Sequence, residues 1–371
     1  MASAETADAL VLGAGIVGAA CAHALAATGL AVTVVDPNPI GSGATAAGMG
    51  HIVVIDEPGP ELALTLDSRR RWERLDVPAA GELLHAGTLW VATDAEELTA
   101  ARAKAARLQA RGVQAEVLDA QALLACEPML RPGLAGGLRV PEDCVLYPPP
   151  IASFLLQRAR ARLLLGRRAV ALGAGAVTLD DGTRLAAGVI VNAAGLAARE
   201  LQPWLPLRAR KGHLVITDRY PGLCRHQIVE LGYIKNAHGQ ASESVAFNLQ
   251  PRASGQLLLG SSRQFDVTDP VVEPRMLRRV VDRALEFMPG LATCKAIRAW
   301  TGFRAATPDG LPLIGPDPEL AGVYVAAGHE GLGITTSLGT AALLADLIMG
   351  RTPSLDPAPF APARFLQVPH A

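Results

Sequence analysis

The sequence predicts an α/β protein in which a doubly wound, mainly parallel domain is interrupted by a second, β-rich α+β layer. Three observations carry this. A glycine turn joins an apolar strand to an Ala-rich helix over residues 9 to 36, and a second glycine loop runs into an apolar helix over 328 to 341. Between 206 and 300 the chain changes to short alternating segments separated by turns. At 371 residues it is long enough for both units and a substantial core.

The first element is "ALVLGAGIVGAACAHALAATGLAVTVVD", which orders strand, turn, helix, Gly29 as helix stop, strand and terminal acid. Gly13, Gly15 and Gly18 form G-x-G-x-x-G, and Asp36 closes the second strand at the separation expected of a ribose-binding carboxylate. Gly13 permits the turn, Gly15 admits a pyrophosphate to the backbone, and Gly18 lets helix and strand pack closely. The phosphates then face Ile16 and Val17 at the positive end of the helix dipole. The unit is shared by NAD and FAD and does not separate them. The next stretch, "GSGATAAGMGH" (41 to 51), points to flavin. It has almost no side-chain bulk before Met49, so Ser42 and Thr45 can donate to phosphates while Gly48 to Gly50 lie under a flat ring, with Ala47 and Met49 among the cofactor-binding candidates.

Helical spacing follows over 60 to 76 and 94 to 111, with a strand at 87 to 93 between them. A proline-led helix begins at "YPPPIASFLLQRARARL", and both Arg69-Arg70-Arg71 and "RARARLLLGRR" (158 to 168) read as solvated helix faces. Asp181-Gly182 marks a hairpin, and the apolar strand 188 to 191 delivers Ala194 and Gly195 to the ligand edge of the sheet. Residues 274 to 288 form one amphipathic helix, and the Pro-rich stretch 353 to 369 reads as a surface tail. The expected organisation is 1–80, 140–205 and 300–371 in a cofactor domain, with 81–139 and 206–299 in a substrate domain.

A net charge of -1 gives no pull toward nucleic acid or anionic membrane. Five scattered cysteines, Cys21, Cys126, Cys144, Cys224 and Cys294, offer neither a CxxC pair nor metal-ligand spacing, so no metal site is expected. No apolar run is long enough to span a bilayer, and structure starts too early for a secretory leader. A cytoplasmic protein is expected, with docking at the inner membrane face through partners left open.

The ordered set "VLGAGIVG", "VVD", "GSGATAAGMG", "VNAAG", "GFRAATPDGLPLIGP" and "GHEGLGITT" resembles the FAD-dependent D-amino-acid oxidase-like family over nearly the whole chain. Within it, "GSGATAAGMGHIVV", "RKGHLVITDRYPG" and "GHEGLGITTSLGTA" are most similar to the catalytic subunits of D-hydroxyproline dehydrogenases, relatives of hydrogen cyanide synthase and glycine oxidase. The resemblance implies a Rossmann-like FAD-binding domain with an inserted substrate domain on a mixed sheet. It implies oxidation of an amine alpha to a carboxylate, with cis-4-hydroxy-D-proline or a D-proline-like ring as substrate and companion subunits carrying electrons to an acceptor other than oxygen. It also implies roles for residues. Val170 contacts the adenine side through its strand, and Arg304 grips the substrate carboxylate. Gly331, Leu332, Gly333, Ile334 and Thr335 line the flavin pyrimidine edge, and Tyr233 lies over the substrate. Relatives that attach flavin covalently use a late cysteine. None follows Cys294, so the FAD is expected to be non-covalent.

Reduction of flavin places negative charge on its N1–C2=O edge, and dipoles already aimed there accelerate the step. Gly331, Gly333 and the helix after them supply such dipoles. Arg304 supplies a planar fork for a carboxylate. His51, His213 and His329 lie within or near these motifs, and His51 and His329 are the candidates for a catalytic role. An oxygen-using glycine or sarcosine oxidase, a flavin-binding subunit whose active site lies in a partner, and an NAD dehydrogenase stay open.

Overall fold

The computed structural model describes residues 5–54, 59–232 and 243–366. The chain opens with β1 (Glu5–Leu12), α1 (Ile16–Ala27), β2 (Val32–Asp36), α2 (Ala44–Ala47), β3 (His51–Ile52) and α3 (Pro60–Glu73). There follow β4 (Thr88–Ala92), α4 (Ala95–Gln109), β5 (Glu116–Asp119), α5 (Ala120–Cys126), β6 (Gly136–Val140), β7 (Cys144–Val145) and α6 (Pro148–Arg158). Next come β8 (Arg162–Leu165), β9 (Ala169–Gly173), β10 (Ala176–Leu179), β11 (Arg184–Asn192), α7 (Ala198–Leu201), β12 (Arg208–Arg219) and β13 (Gln227–Glu230). The last third carries β14 (Glu243–Pro251), β15 (Gln256–Phe265), α8 (Pro274–Phe287), β16 (Ala296–Ala306), β17 (Leu313–Pro316), β18 (Val323–Ala327) and α9 (Gly333–Ile348).

The strands form two large sheets. The first runs β17-β18-β11-β1-β2-β8, with β10 added antiparallel to β11 and β9 antiparallel to β10. Its centre is parallel: β1 pairs with β11 on one side and β2 on the other. Parallel strands are buried on both faces, which explains the unbroken apolar run of β1. Ala9 and Val11 enter the core beneath α1, α6 and α9, whereas Leu10 and Leu12 enter the core on the opposite face. Seven of the twelve residues of α1 are buried and only Ala27 is exposed, so its composition is small and apolar rather than amphipathic.

The second sheet runs β16-β12-β15-β14-β13-β4-β6-β5 and is mostly antiparallel, with α8 packed against β14 and β15. It therefore draws on 88–140 and on 208–306. The stretch 300–306 ends β16 and belongs to this sheet rather than to the first.

Three local expectations give way to tertiary contacts. The helix read through 158–168 stops at Arg158, and residues 162–165 instead form the edge strand β8 beside β2. Arg69 is no solvated residue: it is buried, bridging Glu73 at 3.2 Å and Glu142 at 2.7 Å, with Asp143 at 3.9 Å. The Pro-rich end is not merely draped on the surface, because Phe360 is a core residue.

Candidate active site

One cavity of about 1140 Å³ runs between the two sheets and is walled by segments from across the chain. At one end β1 feeds a turn in which Gly13 adopts φ +114°. A Cβ there would lie 2.5 Å from the Ala193 carbonyl oxygen, and a Cβ at Gly18 would lie 2.0 Å from that of Gly13. Both glycines are fixed by backbone approach. Gly18 stays behind the wall, holding α1 close to β1, while Gly13, Gly15, Ile16 and Val17 line the cavity.

Thr45 Oγ1 accepts the Ile16 N–H at 3.0 Å, so its own proton is directed elsewhere. Asp36 accepts the Ala14 and Asn38 N–H groups, each at 2.7 Å, which fixes its carboxylate at the mouth of the turn. Ser42, Ala194 and Gly195 also line this end. Val170 does not: it is 51% exposed, and its neighbours Arg168 and Ala169 face the cavity instead.

Midway, Ala47, Gly48 and Met49 face the amino end of α9. A Cβ on Gly48 would come within 3.0 Å of Ile334 Cδ1. The lining continues through Gly331, Leu332, Gly333 and Ile334, whereas Thr335 turns away. Its hydroxyl donates to the His51 carbonyl at 2.9 Å, and its own carbonyl accepts Ser68 Oγ at 2.5 Å and Trp72 Nε1 at 3.1 Å. Thus α3 clamps the first turn of α9. Gly339 lets the two helices touch, since a Cβ there would meet Ser68 and Leu64 at about 3 Å.

At the far end Arg304 projects from β16 across Gly212 of β12, and its Nη1 donates to the Ser262 carbonyl at 3.1 Å. Arg210 and Arg263 line the same wall, and both pair with Glu330. Burial raises the Glu330 carboxyl, but Arg263, Arg210 and Arg304 outweigh it and hold the group below its usual range. Three guanidiniums therefore face one carboxylate, leaving a cationic surplus for an anionic ligand.

Burial lowers His51 to about 4. The Gly331 backbone opposes this and the nearby Arg304 reinforces it. Burial likewise lowers His329 to about 4, and its Nε2 meets Thr340 Oγ1 at 3.0 Å. Both imidazoles are neutral at pH 7. His213 is buried outside the cavity, bonded to Ser262 Oγ at 2.9 Å and accepting the Glu273 N–H at 3.1 Å. Tyr233 lies outside the described residues.

A pH dependence follows for His329. Its folded value lies below the unfolded 6.5, so between pH 6.5 and about 4 the unfolded chain binds a proton that the folded one does not. Stability from this group is intact above pH 6.5 and is lost as pH falls through that window. Thermal melts should show a smaller loss of Tm between pH 7 and 4.5 in His329→Asn than in wild type; parallel curves would contradict the assignment.

Sequence reasoning missed Arg210, Arg263, Glu330, Trp90, Gln227 and Asn248, all of which line the cavity. Of these, Arg210, which opens "RKGHLVITDRYPG", and Glu330, inside "GHEGLG", lay in motifs already singled out.

The lining fits FAD: a glycine turn and helix amino end at Gly13–Val17 suit the pyrophosphate, Asp36 suits a ribose, and the small-residue wall 47–49 suits a flat ring. The chain is 28% identical to hydrogen cyanide synthase subunit HcnC of Pseudomonas aeruginosa, over 99% of this chain and 98% of that protein. It is 27% identical to D-amino acid dehydrogenase 2 of Ralstonia nicotianae, over 95% and 99%. The crystal structure of glycine oxidase from Geobacillus kaustophilus superposes with a TM-score of 0.87 at 25% identity, covering 97% of this chain and 99% of that one. The family described as DAO, FAD dependent oxidoreductase, matches residues 8–347, and this chain belongs to it.

Proposed function

We propose that the protein oxidises a small amino or imino acid, most specifically cis-4-hydroxy-D-proline or a D-proline-like ring, to the imine. The electrons pass to an acceptor other than oxygen. The observation that carries this reading is the Arg304 guanidinium, set in the cavity wall beside Gly331 and facing the small-residue platform of 47–49. FAD bound against that platform supplies the acceptor for the α-hydrogen and two electrons.

The rest falls to the chain's own side chains. Arg304 takes the carboxylate through its planar fork and so orients the α-carbon. The amino end of α9 faces the platform with its helix dipole. His51 and His329, neutral at pH 7, add no positive charge that would discourage the substrate's amine. The relatives named for D-amino acid dehydrogenation and for a synthase subunit support a dehydrogenase that works beside companion chains.

The test is anaerobic bleaching of the flavin by D- and L-proline, their 4-hydroxy derivatives, glycine and sarcosine. The D-proline series should reduce it fastest. Peroxide formed stoichiometrically under air would instead favour an oxygen-using oxidase, and a flavin that no member of the panel reduces would overturn the reading.

A further inference from the structure

We propose that the inner face of the second sheet carries a subsite, built by Gln227 and Asn248 beside Trp90, that reads a hydroxyl group on the substrate's distal side. This deepens the functional reading above and rests on it for the position of the substrate carboxylate.

Trp90 on β4, Val229 on β13 and Asn248 on β14 are direct cross-strand neighbours, and Gln227 lies two residues from Val229 on the same face. All four line the cavity. Trp90 and Gln227 are only 4% and 3% exposed. Yet Trp90 Nε1, Gln227 Oε1 and Asn248 Oδ1 are buried without a hydrogen-bond partner among the described residues. Three unanswered polar atoms on one patch are costly unless a ligand answers them, because a buried polar group without a partner forfeits its hydration. Lys104, which also lines the cavity, places its Nζ 3.8 Å from the centre of the Trp90 ring and so helps to fix that indole.

The patch adjoins the reacting end. Asn248 sits opposite Gly260 of β15, and a Cβ at Gly260 would lie 3.3 Å from Met49 Sδ. Gln250 Nε2 donates to the Met49 carbonyl, tying the same strand to the flavin platform. Arg304 reaches Ser262, two residues along β15 from Gly260. From Ser262, Asn248 is two residues along and one strand across, roughly 8 Å at ordinary sheet spacing, which suits a small ring held at opposite edges; Gln227, one strand and two residues farther, forms the far end of the patch. A carboxamide offers a donor and an acceptor, as a hydroxyl does, so paired amides match an alcohol better than a methylene or a second charge.

The experiment uses FAD-loaded full-length protein and two matched pairs: cis-4-hydroxy-D-proline with D-proline, and D-serine with D-alanine. Wild type should favour the hydroxylated member in kcat/KM. Asn248→Leu and Gln227→Leu should each lower that preference on the order of 10- to 100-fold, with FAD content and Tm as folding checks. A preference equal in wild type and both variants overturns the subsite and leaves the Arg304 reading standing. Calorimetric titration of wild type with the ring-oxygen analogues of the two prolines, which bind without turnover, decides the matter independently. Tighter binding of the hydroxylated analogue is expected, and equal affinities overturn the subsite even if the variants fail to fold or no substrate reduces the flavin.

Discussion

Arg304→Ala is expected to retain the yellow cofactor and to lose reduction by every carboxylated substrate. The cofactor is expected to survive because the glycines and Asp36 proposed to hold it belong to the first sheet and its loops, whereas Arg304 comes from β16 of the second. The substrate is lost because its carboxylate would enter a largely desolvated wall without the planar fork. Removing one member of such a pair costs about 2–5 kcal/mol, or roughly 30- to 5000-fold in kcat/KM. Arg304→Lys should recover only part of this, since an ammonium cannot make two parallel bonds. Stopped-flow reduction over a range of substrate concentrations measures the loss. Wild-type rates in the alanine variant would remove Arg304 from the site.

The second large effect is expected at the opposite end, where Gly13→Ala should yield protein with little or no bound FAD. At φ +114° an L side chain is strained by about 1–3 kcal/mol before any contact is considered. The added methyl would also sit 2.5 Å from the Ala193 carbonyl, pressing β11 away from the turn. Neither penalty can relax cheaply, because β1 and β11 are locked in register along seven residue pairs. Where the turn escapes this strain by leaving the cradle geometry, binding weakens by about 5- to 160-fold, and the collision adds to that. The absorbance ratio of flavin to protein, together with the rise in Tm on adding FAD, reports the effect. A fully loaded variant of normal stability would show that the turn is not the phosphate cradle.

The amino-terminal cradle was legible because its parts are contiguous: turn, helix start and terminal acid fall within 36 residues at spacings set by backbone geometry. The carboxyl-terminal loop was legible for the same reason. Arg304 was singled out only through its surrounding motif, since an isolated arginine has no local signature. Gln227, Asn248 and Trp90 escaped notice because strand register alone brings them together. Local charge patterns misled in the opposite direction. Arg69 reads as solvent-facing until Glu142 and Asp143 arrive from the turn before β7. Residues 158–168 read as helix until β2 offers Leu163 and Leu164 an edge to pair with.

The clasp that Ser68 and Trp72 place on the Thr335 carbonyl has a consequence for how the cofactor's electron affinity is set. The α9 dipole is oriented before anything binds, by α1 packed along the helix and by the α3 tethers at its first turn. A helix end aimed at the flavin would make the midpoint potential depend on these tethers, although they lie away from the reacting atoms. Trp72→Phe, which deletes one tether and keeps an aromatic ring, is expected to shift the flavin midpoint potential with substrate KM unchanged, and a redox titration that matches wild type would show that the tether has no such role.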